Sequence, residues 1–166
     1  MINRILFATD LGPFSSHTLE HVTNLALNHH ARVIVVHAVE PLGGLAQAVV
    51  SSLEPATEVT ALLQSIKCRI QESLNDEMID CREALACFDG VQVRQGRPAE
   101  IILQLADELK GDLIVLGSHG PESMGHNVLG SVTSRVLQLS KVPVYMVPMS
   151  KPILSRSTLS APFKAL

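Results

Sequence analysis

The 166-residue chain has no tryptophan, one tyrosine and four phenylalanines. Its core therefore has to be assembled from aliphatic side chains, and these dominate an apolar share of 46%. Short Val/Ile runs without aromatic anchors fit a sheet covered on both faces. Charged residues make up 17%, the formal net charge is -3, and there is no Lys/Arg-rich run. That balance argues against a nucleic acid or an anionic membrane as partner. No apolar stretch has the length of a membrane span. Met1-Ile2-Asn3-Arg4 leads straight into an apolar run that ends at Thr9-Asp10, which is also too short for a secretory core. The three cysteines, Cys68, Cys81 and Cys87, are odd in number and form no CxxC or Cys/His metal spacing. Free thiols buried in helices, in a reducing cytoplasm, are the expectation.

Several chemical motifs are missing too. There is no GxxxxGK[ST], so a P-loop NTPase is excluded. The exit of the first apolar run holds only Gly12, which is not a dinucleotide-binding fingerprint. Thr9-Asp10-Leu11-Gly12-Pro13 does not resemble the Ser-Gly-Gly-x-Asp-Ser loop of ATP pyrophosphatases. Asp10 stands alone, whereas a phospho-acceptor receiver needs clustered acids. No Ser/His/Asp or Cys/His constellation emerges, so no catalytic residue and no metal ligand set is assigned.

What is present is an alternation of strands and helices. Ile5–Ala8 reads as a buried strand with an exit loop, and Ser15-Ser16 as a cap for a helix carrying Leu19, Val22, Leu25 and Ala26. Arg32–Val39 reads as a second strand, ended by Pro41 and Gly43-Gly44. Residues 45–58 are ambiguous between a short helix and a loop. Leu62, Leu63, Ile66, Ile70 and Leu74 predict a long helix continuing through Met78 and Leu85 to Phe88, with a turn at Asp89-Gly90. Val91–Gln95 alternates like an edge strand. Pro98 suits the first position of a helix that buries Ile101, Ile102, Leu105, Ala106 and Leu109 and ends at Lys110-Gly111. Leu113–Leu116 is a fourth strand leading into Gly117. A last helix, opening at Gly130-Ser131, carries Val132, Val136 and Leu139, and Pro143–Pro148 is a short fifth strand. The expected unit is one α/β domain over residues 2–148, followed by a flexible tail, 149–166.

This order implies an open parallel sheet with right-handed crossovers and helices on both faces. Ligands of such sheets sit beyond the strand carboxyl ends, where strand order reverses. If the first and fourth strands are neighbours, the exits Thr9-Asp10-Leu11-Gly12 and Gly117-Ser118-His119-Gly120 border one crevice. Gly117 and Gly120 flank a tight turn and allow backbone N–H groups to converge on an anion. Gly130-Ser131 opens a helix whose first N–H groups lack intrahelical partners and whose dipole favours negative charge. The Ser131 hydroxyl is either a further donor or a helix cap. His119 lies inside the glycine turn, placed to touch phosphate as a donor or a pH-sensitive contact.

Gly-x-x-Gly, nine residues, then Gly-Ser, an amphipathic helix and a Pro-Val-rich strand resembles the nucleotide-binding signature of the universal stress protein family. Gly117, Gly120, Gly130 and Ser131 carry the match. Ile5–Asp10, Val36-His37-Ala38 and Lys141-Val142-Pro143-Val144 extend it over residues 2–148. The resemblance implies a five-stranded sheet of order 3-2-1-4-5, like that of the adenine nucleotide alpha hydrolases. It also implies that Thr9 and Asp10 line the adenosine side, that Ala38 lies against adenine, and that Gly117, Gly120, Gly130, Ser131 and Val132 hold ribose and phosphates. The ligand it implies is ATP or a related adenine nucleotide, with Mg2+ as an optional companion, in a cytoplasmic stress or energy-state sensor that dimerises through Val142–Val147.

Two positions depart from the pattern. Glu122 stands where members often carry basic residues, and only His126 nearby can become cationic. Ala38 is smaller than the usual Val or Leu. Both bear on affinity and leave a diphosphate, a monophosphate or a cyclic nucleotide open. A slow ATP hydrolase using the same pocket and a nucleotide-free interaction protein of the same fold are the alternatives.

Overall fold

The computed structural model describes residues 1–12, 15–41, 56–79, 81–118 and 129–148. The elements are β1 (Arg4–Ala8), α1 (Ser15–His29), β2 (Arg32–Val39), α2 (Ala56–Glu77), α3 (Arg82–Ala86), β3 (Phe88–Gln95), α4 (Pro98–Glu108), β4 (Leu113–Gly117), α5 (Ser131–Leu139) and β5 (Val144–Val147). All four strand pairings are parallel, in the order β3-β2-β1-β4-β5 expected from the sequence.

Alternation along each strand sorts the core into two layers. Ile5 and Phe7 of β1, Val33 and Val35 of β2, and Leu113 and Val115 of β4 face Leu19, Val22 and Ala26 of α1 and Ile70 and Leu74 of α2. The intervening residues Leu6, Ala8, Val36, Ile114 and Leu116 face Ile102, Leu105 and Ala106 of α4 and Val136 of α5. Both faces of the central strands are therefore dry, which explains why these strands read as continuous apolar runs rather than as alternating ones.

Three expectations are corrected. The long helix stops at Glu77, and a second short helix follows over Arg82–Ala86. Met78 and Ala84 still point into the core across this break, so the apolar spacing continued although the helix did not. Asp89-Gly90 is not a turn but lies inside β3. Val33 pairs with Phe88 and Ile34 with Gly90, so Asp89 is the extra residue of a bulge, and Gly90 takes φ +141°. Cys68 and Cys81 are exposed and Cys87 is half-buried, all three free. Cys68 lies off the Ile66–Ile70–Leu74 stripe, and Cys81 sits in the break between the helices.

The amino end of β1 is tied to the chain entering β4. Asp112 Oδ2 accepts the backbone N–H groups of Asn3 and Arg4 at 2.8 and 3.0 Å, and the Arg4 guanidinium donates to the Leu109 carbonyl. The Asn3 amide, then the Arg4 amide, hold the Asp112 carboxyl below its ordinary pKa. At this turn the left-handed residue is Lys110 (φ +53°), not Gly111. Gly111 serves close approach instead, because a Cβ there would overlap Cδ1 of the fully buried Leu6. Gly111→Ala is therefore expected to destabilise the fold by about 1–3 kcal/mol as an overpacking change. Urea unfolding checks this, and an unchanged midpoint would show that Leu6 repacks freely.

Candidate functional site

Pairing of β1 with β4 places their two exits side by side. The loop after β1 folds around its own polar side chains. Thr9 N–H donates to the Val36 carbonyl at 3.0 Å, keeping Thr9 against β2. Leu11 N–H donates to Thr9 Oγ1 at 3.0 Å and Gly12 N–H to Asp10 Oδ1 at 2.9 Å, with Leu11 in the left-handed region at φ +61°. Ser15 is buried, its hydroxyl 2.8 Å from Thr9 Oγ1 and 3.4 Å from Asp10 Oδ1. The sequence suggested Ser15 as a helix cap; it is instead the first residue of α1, fastened to the loop it follows. The result is an exposed Asp10 held by a short, self-bonded turn.

On β2, His37 Nδ1 lies 2.9 Å from the Thr9 carbonyl, which can only accept, so Nδ1 carries the proton. His37 is thus a strut between β2 and the β1 exit. Ala38 follows it, half-buried at the end of the strand.

The exit of β4 is closed at its base. Ser118 N–H donates to Val147 O at 2.8 Å, and Gly130 N–H to Ser118 O at 3.0 Å. Thr133 Oγ1 donates to the Gly117 carbonyl at 2.9 Å, and Thr133 is buried. The chain leaves after Ser118 and returns at Gly130 through this hydrogen-bonded neck. His119 and Gly120, together with Glu122 and His126, lie outside the described residues.

Gly130 is the N-cap of α5, with extended backbone (φ −57°, ψ 151°) and no side-chain cap. Its carbonyl accepts Ser134 N–H at 2.9 Å. The N–H groups of Ser131, Val132 and Thr133 therefore have no intrahelical acceptor. Ser131 is the first helical residue and exposed, so it does not cap the helix. No acidic residue stands in the first turn to offset the positive end of the helix dipole. Val132 packs against the α4 side of the core.

Thr9, Asp10, Gly117, Gly130, Ser131 and Val132 thus gather around the exits of β1 and β4, and Ala38 sits one strand over. Thr133 was not singled out from the sequence, and Ser15 was read as a helix cap rather than as a partner of Thr9 and Asp10. Thr133 did leave a signal: it lies three residues before Val136, on the buried stripe of α5, and a buried hydroxyl needs a partner. A depression of about 470 Å³ bordered by Asp107, Lys110, Asp112 and Lys141 shares none of these residues.

This arrangement, a helix start beside a strand exit where sheet order reverses, coincides with a family match. The model of the Universal stress protein family matches residues 1–148. The chain belongs to the universal stress protein family. It is 32% identical over 153 residues to a universal stress protein of Thermus aquaticus, covering 89% of this chain and 99% of that one. It is 26% identical over 155 residues to universal stress protein MJ0577 of Methanocaldococcus jannaschii, covering 89% and 95%. The solved structure of MJ0577 superposes with a TM-score of 0.70 over 90% of this chain and 98% of its own. A universal stress protein crystallised in complex with cAMP superposes with a TM-score of 0.54 at 26% identity, covering 90% and 98%. Nucleotide binding within this family is thus represented among the structural neighbours.

Thr133→Val keeps the shape of the side chain and removes only the hydroxyl. It leaves the Gly117 carbonyl unpaired and is expected to cost about 1–3 kcal/mol in thermal or urea unfolding. Wild-type stability would mean that the neck holds without this bond.

Proposed function

We propose that the crevice between the exits of β1 and β4 binds an adenine nucleotide, ATP or a close relative. The observation that carries this reading is the start of α5, where three N–H groups and an uncompensated helix dipole stand beside the β4 exit. Phosphate oxygens take the Ser131–Thr133 amides and the Ser131 hydroxyl, with Gly117, Gly120 and Gly130 allowing close backbone approach. His119 adds a donor from the glycine turn. Thr9 and Asp10 border the adenosine side, and Ala38 offers a small apolar contact to the base. A Mg2+ ion in this reading is held mainly by phosphate and water, as that ion commonly is. Glu122 in the intervening segment disfavours a large phosphate charge, so fewer phosphates or a cyclic nucleotide are compatible with the same cradle.

Substitution at Ser131 tests the reading cleanly. Proline is favoured at the first position of a helix, and the extended backbone of Gly130 suits a residue preceding proline. Ser131→Pro therefore leaves the fold intact while deleting one N–H and the hydroxyl. Wild-type protein with ATP at 100 times its dissociation constant gains about 2.7 kcal/mol, read as a thermal shift, whereas the variant loses most of it. Equal shifts would remove α5 from the site.

The proposed sensor is a cytoplasmic homodimer. Among the described residues no helix is long and apolar enough to cross a membrane. β5 is a sheet edge on which Tyr145 is exposed and Val144 and Met146 are half-buried. An open apolar edge is a liability that pairing with a two-fold mate removes. Light scattering is expected to give twice the chain mass, and a concentration-independent monomer would contradict this.

A further inference from the structure

The outer face of α1 carries two imidazoles one helical turn apart. His17 and His21 stand at i and i+4, their ring centroids 4.9 Å apart and their planes at 89°. Two imidazoles sharing a tetrahedral zinc at 2.0–2.1 Å have centroids about 5 Å apart. The spacing is the one that helical zinc sites use for paired histidine ligands.

A second observation concerns the other side of His21. Its Nδ1 lies 3.1 Å from the Tyr145 hydroxyl on β5. A histidine that ligates a metal generally donates its second ring N–H to an oxygen, which fixes the tautomer. In the tautomer whose Nδ1–H donates to Tyr145 Oη, the lone pair of His21 sits on Nε2. His17 is exposed and His21 half-exposed, so both rings are within reach of solvent and turn about a soft terminal torsion at little cost.

From this geometry we infer that His17 and His21 form a two-histidine site for a divalent late transition metal of the zinc class, with Tyr145 as the outer partner that orients His21. Imidazole nitrogen suits zinc, copper and nickel rather than magnesium or calcium. Among the described residues no group of three or more His, Cys, Asp or Glu forms a closed cage. Water or an exchangeable ligand completes the coordination, so the site is an open one, weaker than a structural four-ligand site. Neither histidine is among the residues gathered around the nucleotide crevice, and the inference does not rest on the nucleotide reading. Metal bound here clamps the first turns of α1 and, through Tyr145, holds them toward the β5 edge.

The test is a zinc chloride titration of the untagged full-length chain, followed through the ring C–H resonances of its histidines. His17 and His21 are expected to shift together and to saturate at one zinc per chain. His17→Gln and His21→Gln should each weaken this binding at least about tenfold, and Tyr145→Phe about tenfold with unchanged stoichiometry, as loss of an outer partner does. Ser131→Pro should leave it unchanged. Zinc shifts confined to His29, His30 or the exposed cysteines would overturn the assignment, as would wild-type zinc affinity in His17→Gln.

Discussion

The central strand β1 hydrogen-bonds to β2 on one side and to β4 on the other, and every later feature depends on that double pairing. Its register runs from Ile5↔Leu113 to Ala8↔Leu116 toward β4, and from Arg4↔Arg32 to Ala8↔Val36 toward β2. Ile5 and Phe7 serve one helical layer while Leu6 and Ala8 serve the other. A slip of one residue would exchange these faces against helices of different shape, so the register is fixed by packing on both sides. Once β1 is fixed, the chain winds outward to β2 and β3, then crosses to β4 and β5. The helix after β1 covers one face and the helix after β4 covers the other, leaving the crevice between their starting points.

The crevice is framed chiefly by backbone, and side chains serve to hold that backbone. Thr9, Asp10 and Ser15 bond to one another and to the turn they sit in. His37 braces the same turn from β2, and Thr133 anchors the Gly117 carbonyl from inside α5. Such a frame presents amide N–H groups and the positive end of a helix dipole, and the proposed recognition of an anion rests on their direction and charge.

Much of this was legible in the sequence because strong local signals and the global fold agreed. The apolar runs Ile5–Ala8 and Leu113–Leu116, each followed by turn residues, gave the strands and their exits. Gly130-Ser131 before an amphipathic stretch gave the start of α5. The long helix was misread because periodicity reports burial and not chain continuity, and the turn because a local dipeptide signal yields to strand pairing. Met78 and Ala84 kept the core spacing across a helix break, and Asp89-Gly90, a strong turn dipeptide, was absorbed as a bulge because Phe88 and Val91 both pair with β2. Thr133 escaped notice because a hydroxyl on an apolar stripe declares its partner only when the fold supplies one. Residues 119–128, where His119 and Gly120 fall, lie outside the described part of the chain.

The most direct test of nucleotide binding is mass spectrometry of small molecules released by denaturing the purified protein, before and after incubation with ATP. An adenine nucleotide in near-stoichiometric amount is the expected result, and the number of phosphates found would show what the segment containing Glu122 tolerates. Protein that carries no adenine nucleotide from the cell and retains none after incubation would contradict the reading of the β1–β4 crevice as a nucleotide site.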